Sequence, residues 1–523
     1  MQGFNHPLAI GVLVLAAIAS SPVLAAEAGA PTPQDAVNSE QDVVLAGLLL
    51  DGMTAYQPTD FAPIYEPYLA RTIQLEDLTS LAQAISERYR KDGYFLTQVV
   101  VPEQPDLKSG FAHIAVLEGH FSDVTIEGPA RDIAAPYFKS LTTSGPAKLH
   151  DLRKAILRAQ NVPGLVIKTR IEPDPTNPSL HRLVVTAAMK SVESYIELSD
   201  RGTSAVGPWQ AVGETRFNSV FKGGDQISAF YFTTPQDPRE YSSLGLGYGQ
   251  TLLNGASWSI SGSYGQNRND SAPVILRGRT SIVSASIAAP LVQEPSKFIA
   301  LQVRFDATDS RNNWIDRTFY DDQTRVARIG LRGFTKEDGR SASIFVSASF
   351  GLDALGASGK SALNRSRYNA PPNFTKLNLQ TSYYQALGPI FGLLLRADAQ
   401  WSRDPLLLSE QFALGGVPFG RAYDFGELTG DSGIAGSVEL RAGIDPNLPA
   451  LDYLQGYAFL DGGQTWFSGE DQSYSLSSAG VGARIGVLDR YSLGLETAKP
   501  LTRTPYGELD KEWRRSVTLS AQY

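Results

Sequence analysis

The 523-residue chain has no cysteine, which excludes disulfide scaffolds, thiolate metal sites and cysteine nucleophiles. Histidine is nearly as scarce: His6, His113, His120, His150 and His181 are the only ones, and none follows position 181. The remainder of the chain therefore offers no imidazole base for a Ser-His or His-Asp hydrolase. The four histidines beyond His6 lack metal-ligand spacing, so no catalytic residue, metal site or cofactor is assigned. Long apolar runs are missing after Ala26, which excludes a helical membrane span beyond that point. The net charge of −8 gives no reason to expect nucleic acid as a partner. Gly245-Leu246-Gly247 lies in a strand-like stretch rather than at a helix start, so no phosphate cradle is implied.

The first residues are apolar from Leu8 to Ile18, with small residues at Val23 and Ala25 in the pattern of a secretory signal peptide. The alternative is a buried N-terminal helix, because the first positions carry no lysine or arginine. Residues 1–25 are read as the signal peptide and 26–41 as a short Ala/Pro-rich leader. Export of a cysteine-free chain suits a bacterial periplasm or outer membrane.

The length exceeds what one ordinary core uses, so several domains or one large architecture are expected. Val43 to Leu50 reads as a strand and Phe61 to Ala70 as a short helix. Glu76 to Lys91 is a longer helix, with Leu78, Leu81, Ala82, Ile85 and Tyr89 at helical spacing and Gly93 past its end. Tyr94 to Val101 and Ala112 to Leu117 are strand-like. The order then repeats: a strand at Val124 to Glu127, helices at Arg131 to Ser140 and Leu149 to Gln160, strands at Val166 to Glu172 and Leu183 to Ala187. Two consecutive α+β modules follow, at 42–120 and 121–191, each of about 75 residues, a normal small-domain size. Their exposed sheet edges could accept an extended peptide by strand addition, or be blunted structural edges.

From Val192 to Tyr523 a period of two takes over. Ile344, Val346, Ala348 and Phe350 oppose Ser343, Ser347 and Ser349; Ile299, Leu301, Val303 and Phe305 oppose Gln302, Arg304 and Asp306. Ser257 to Tyr264 and Val481 to Val487 alternate likewise. Roughly sixteen such segments fit, the dyad pattern of an outer-membrane barrel. A soluble sandwich or propeller also alternates. The small or charged polar partners and the contrast between short (Leu488-Asp489-Arg490) and long (Asp353 to Asn373) connections favour the barrel. Arg304, Arg328, Arg332, Arg396, Arg441 and Arg484 fall on its lumen face. The final strand alternates up to Tyr523, which is expected at a membrane interface.

One connection, 402–432, is long and glycine-studded, with Arg421 near its centre. Leu414, Phe419, Tyr423 and Phe425 give it an apolar body able to pack, and long ordered loops usually serve function. An arginine in such a body calls for a cavity and a counter-charge.

Leu414-Gly415-Gly416, Gly420-Arg421-Ala422-Tyr423, Gly430-Asp431-Ser432-Gly433 and Glu439-Leu440-Arg441 resemble the sixth extracellular loop of two-partner secretion translocators. This is the hemolysin-activator and filamentous-hemagglutinin transporter family, related to the barrel-assembly proteins. Tyr89-Arg90-Lys91-Asp92-Gly93-Tyr94, Val101-Pro102-Glu103-Gln104 and Val116-Leu117-Glu118-Gly119 resemble its first periplasmic POTRA domain. Phe459-Leu460-Asp461-Gly462-Gly463 resembles its F-x-D-x-G strand, and the terminal aromatic resembles the signal read by barrel-assembly machinery. The usual V-R-G-Y tip is here Gly420-Arg421-Ala422-Tyr423, and the stretch before Val43 is shorter than the plug helix and linker of some members.

The resemblance implies two periplasmic POTRA domains, an outer-membrane barrel, and a loop folded into its lumen with Arg421 paired to Asp461. Such a pair would be a directional, bidentate contact. Phe459 shares the face of Asp461, while Leu460 would meet lipid. Tyr423 would anchor the loop. The implied partners are an unfolded exoprotein, membrane lipid, and assembly machinery. A passive porin and a barrel-assembly factor are the alternatives. A porin has no use for the two modules, and assembly factors usually carry more of them.

Overall fold

A computed structural model describes residues 43–523 except 105–106, 144, 204–205, 270–275, 315–316 and 447. The signal peptide, the leader and the first residue of the 42–120 module, all expected from sequence, lie outside the described residues. The chain forms two compact units, one holding both modules and one holding the β-half.

Each module is a three-stranded sheet packed on helices. In the first, Gly47–Asp51 runs parallel to Phe111–Leu117, which pairs antiparallel with Gln98–Val100. The helix Leu75–Lys91 starts where the Asp77 carboxylate accepts the Gln74 N–H at 2.8 Å. Acids lie in its first turn and Arg88, Arg90 and Lys91 in its last, complementing the helix dipole. Leu78, Leu81, Ala82, Ile85 and Tyr89 form its buried stripe. In the second module, His120–Glu127 runs parallel to Leu180–Met189, which pairs antiparallel with Leu165–Pro173; Arg131–Phe138 and Leu149–Gln160 are the helices.

Local details differ from the sequence reading. The strand expected over Val43 to Leu50 breaks at Leu45-Ala46, because fully buried Leu45 turns into the core. Its first piece, Val43–Val44, pairs instead with Thr72–Ile73. The helix expected over Phe61 to Ala70 is a succession of short turns, Pro58–Phe61, Ala62–Tyr65 and Glu66–Tyr68. Pro63 and Pro67 remove the N–H groups that a continuous helix needs. Tyr94 to Val101 shortens to Gln98–Val100, since Tyr94 leaves the sheet to pack edge-on against Tyr56 and Tyr89. The helix from Arg131 ends at Phe138 and tightens into a 3₁₀ turn, Lys139–Thr142.

The β-half is a closed antiparallel barrel of sixteen strands, from Val192–Ser199 to Arg514–Gln522. Closure excludes the sandwich alternative and leaves no unpaired edge facing lipid. The faces sort as the alternation requires: Ile344, Val346 and Phe350 are 48%, 43% and 43% exposed, whereas Ser347 and Ser349 are buried. Thr518 to Gln522 pairs with Tyr195 to Ser199 to close the wall. Tyr523 extends that seam, its N–H donating to Ser194 O at 2.9 Å and its O accepting from Ser194 N at 3.0 Å.

Candidate functional site

The connection between the strands Phe391–Ser402 and Ser432–Ile444 folds into the barrel lumen. Within it, Phe412–Leu414 pairs with Leu428–Gly430 as a small hairpin. The tip turns sharply because Gly415, Gly416 and Gly420 adopt φ of 118°, 76° and 94°. A side chain at Gly420 would also stand 2.6 Å from Leu476 Cδ1, so the tip backbone lies directly on the wall. Phe412, Leu414, Ala422, Tyr423 and Leu428 form one apolar core with Ala435, Tyr457, Phe459, Leu476 and Ala498 of the wall. Phe425 is an exception: it is 59% exposed and does not join that core, contrary to the sequence reading. Its neighbours stay fastened, Asp424 to Arg514 at 2.8 Å and Glu427 to Tyr506 N–H at 2.7 Å, while its own ring turns outward.

Arg421 is 3% exposed. Its Nε donates to Asp461 Oδ2 at 2.9 Å, Nη1 to Glu439 Oε2 at 2.8 Å and to Glu496 Oε2 at 3.2 Å, and Nη2 to Ser437 Oγ at 3.1 Å. Its guanidinium carbon sits 3.6 Å from the centre of the Phe459 ring, a desolvated cation–π contact. The bidentate fork expected between Arg421 and Asp461 is absent. Asp461 Oδ1 is occupied by Gly420 N–H at 2.8 Å and by the Ser478 hydroxyl, so one carboxylate holds both the arginine and its backbone. Burying three acids is offset by more than Arg421: Arg441 and Arg484 reach Glu439 at 2.8 and 3.1 Å, and Arg201 reaches Glu496 at 2.8 Å.

Strand parity explains the ring. Phe459 and Asp461 are buried in the lumen and Leu460 between them is 54% exposed. Gly480 and Gly482 on the next strand leave room for the Phe459 and Tyr457 rings, which a Cβ would approach to 2.6 and 2.4 Å. The Tyr423 hydroxyl lies 3.2 Å from Ser477 O and 3.1 Å from Arg503 O. At the loop's exit, a side chain on Gly430 would meet Trp466 O at 2.8 Å. Asp431 is fully buried; it accepts Arg367 Nη1 at 2.7 Å on each oxygen and the N–H groups of Leu406 and Ser468 at 2.8 Å. The Tyr523 hydroxyl is 2.8 Å from that of Tyr491.

Sequence reading did not single out Glu439, Glu496, Arg367 or Glu410 as partners. Glu439 was within reach, since it lies two residues before lumen-facing Arg441. Arg367 was not, because the long connection that carries it has no periodicity. Among the lumen arginines, Arg304 and Arg328 share Asp306, at 2.6 and 2.8 Å, and Arg332 lies over the Phe345 ring.

The module motifs form a separate cluster. Buried Glu118 accepts the Tyr89 hydroxyl at 2.8 Å, the Thr54 and Ala55 N–H groups at 2.9 Å each, and the Thr54 hydroxyl. Burial pushes the Glu118 carboxyl up, but these donated bonds outweigh it and hold it below the usual carboxylate range. Burial first, and the bond to Glu118 second, push the Tyr89 hydroxyl well above its ordinary value. The Gln104 side chain bridges Pro102 O and both main-chain groups of His113.

The family profile described as haemolysin secretion/activation protein ShlB/FhaC/HecB matches residues 183–485, and that of the ShlB-type POTRA domain matches 43–119. A heme/hemopexin transporter protein HuxB of Haemophilus influenzae is 22% identical over 84% of this chain and 80% of its own. The outer membrane transporter CdiB of Escherichia coli is 23% identical over 93% and 84%. Among solved structures, CdiB from Escherichia coli superposes with a TM-score of 0.73 at 20% identity, covering 94% of this chain and 93% of that one. BamA from Haemophilus ducreyi lacking POTRA domains 1–3 gives 0.53 at 12% identity, covering 92% and 100%. These superpositions establish the shared fold.

Proposed function

The chain belongs to the haemolysin secretion/activation protein family ShlB/FhaC/HecB, and we propose that its barrel exports an unfolded exoprotein past the in-folded loop. It is an outer-membrane translocator of two-partner secretion, with its N-terminal modules in the periplasm. Proteins of this family pair with secreted exoproteins.

The reading rests on one observation: a closed barrel whose lumen holds an ordered loop, fastened by charge rather than by a continuous sheet. The tip is held by side-chain pairs and a few main-chain bonds rather than by a strand-to-strand ladder, so it can leave the wall without unzipping the barrel. The modules capture cargo in the periplasm, where Gly47–Asp51 and Gln98–Val100 are the outer strands of their sheet among the described residues and can accept an added strand. The role is passage rather than catalysis. Tyr523 serves recognition by the assembly machinery, and the apolar band meets membrane lipid.

The test is export of the partner exoprotein into the medium. Deleting residues 43–191 abolishes export under this reading and leaves a channel under the porin alternative. A barrel-assembly factor would instead, on depletion, lower outer-membrane proteins in general.

A further inference from the structure

Four arginines converge on the outward face of the barrel at its external end. The strands Ser257–Asn269, Leu276–Glu294 and Lys297–Trp314 are neighbours in the wall, and residues paired across them share a face. In that register Arg268 stands opposite Arg277, and Arg279 stands opposite Arg311. Tyr264, Val283 and Val303, all exposed, fix the face: each lies an even number of residues from the arginines of its own strand, on the side that meets lipid. The first barrel strand, Val192–Ser199, follows the periplasmic modules in sequence, and the strands alternate in direction from there. The ends at Asn269, Leu276 and Trp314 are therefore external.

Like charges directly opposite one another are unfavourable in a sheet, and here two such pairs lie two residues apart. The described acids around them are engaged elsewhere or by one arginine each. Asp321 accepts Arg311 Nε at 2.6 Å, and Asp309 accepts Arg325 Nη1 at 2.7 Å. Glu240, on the adjoining connection, turns its carboxylate toward Gly207. Arg268 is also engaged. Arg277 and Arg279 are exposed and pair with no carboxylate among the described residues. Between Arg279 and Val283 only the small Ser281 stands on this face. The four-residue step is about 13 Å along the strand, or about 10 Å along the membrane normal at the usual barrel tilt. An arginine stem can bend back over apolar surface to set its head at the bilayer surface.

We propose that Arg277 and Arg279, flanked by Arg268 and Arg311, bind the phosphate of an outer-leaflet glycolipid headgroup. Planar guanidinium forks match phosphate oxygens two at a time, and an anion placed between the opposed cations relieves their repulsion. The acyl chains then continue along Val283, Ile287 and Val303, which the same strands expose toward the midplane. That continuity of charge with apolar surface fits a lipid rather than free phosphate. The site depends on the barrel's place in the outer membrane and not on its role in export.

The test titrates the full-length protein in detergent with bis-phosphorylated lipid A and counts bound lipid by native mass spectrometry. Heat-modifiable mobility on gels reports folded barrels. Arg277→Gln with Arg279→Gln should weaken binding about fivefold for each arginine lost, roughly 30-fold for both. Arg170→Gln with Arg182→Gln, which removes the same charge from the second module, should leave binding unchanged. Lipid A should raise the temperature at which wild-type barrels lose heat-modifiable mobility, and should do so far less for the Arg277/Arg279 variant. Dephosphorylated lipid A should bind wild type and variant equally weakly, and excess inorganic phosphate should not displace the lipid. If the glutamine pair does not fold, Arg277→Thr with Arg279→Thr, a residue at home in strands, takes its place. Unchanged binding in folded Arg277/Arg279 variants, or an equal loss in the module variant, overturns the inference. Tight binding of dephosphorylated lipid A, or displacement by inorganic phosphate, overturns it as well.

Discussion

Replacing Arg421 with alanine removes four polar contacts and the ring contact of the loop tip at once. The acids it leaves behind fare differently. Glu439 keeps Arg441 and Arg484, and Glu496 keeps Arg201 and the Tyr457 hydroxyl at 2.9 Å. Asp461 loses the cation it pairs with and retains the Ser478 hydroxyl and the Gly420 N–H. Breaking one buried pair of this kind costs about 3–5 kcal/mol. Applied to docking of the loop tip, that is roughly two to three and a half orders of magnitude in the docked-to-free ratio. Sixteen strands of wall hydrogen bonding are untouched, so the barrel should keep its heat-modifiable mobility while its conductance rises and export of the exoprotein falls. Arg421→Lys should lie between, since one ammonium cannot reach Asp461, Glu439 and Glu496 in the fork that the guanidinium spans. Wild-type conductance and wild-type export in folded Arg421→Ala barrels would refute the reasoning.

In the first module, Glu118→Gln exchanges a carboxylate that only accepts for an amide, and should destabilise the module by about 1–3 kcal/mol, read as faster proteolysis of that module in the full chain. The sign with pH follows from the lowered Glu118 carboxyl: its contribution is complete above the ordinary carboxylate value and is lost as pH falls through the folded value. Acid should therefore speed wild-type proteolysis more than that of the glutamine variant. Arg367→Met removes the cation that Asp431 holds on both oxygens, and should expose the 352–374 connection to added protease on intact cells without changing barrel mobility.

The barrel was legible in the sequence because its code is local. Ile344 against Ser347 or Leu460 against Asp461 needs only a period of two, and that period survives any arrangement of the loops. The helix Leu75–Lys91 was legible for the same reason. Breaks at Leu45 and Tyr94 were not, since each residue leaves its strand for a partner distant in sequence. Arg421 and Asp461 were found through motif resemblance, but the form of their contact was not. Whether a guanidinium forks onto one carboxylate or spreads over three depends on which acids converge from separate strands. Glu410 gave no signal for a similar reason: its partners Arg328 and Lys376 lie 82 and 34 positions before it, on two separate strands.

The central claim is that the loop tip must leave the wall for cargo to pass. The absence of native cysteine allows it to be tested by one engineered pair, Ala422→Cys with Ser478→Cys, whose parent residues touch through Ala422 N and Ser478 Oγ at 3.4 Å. With the disulfide formed, export of the exoprotein should stop, and a reductant should restore it. Undiminished export through barrels whose tip is covalently tied to the wall would contradict the account.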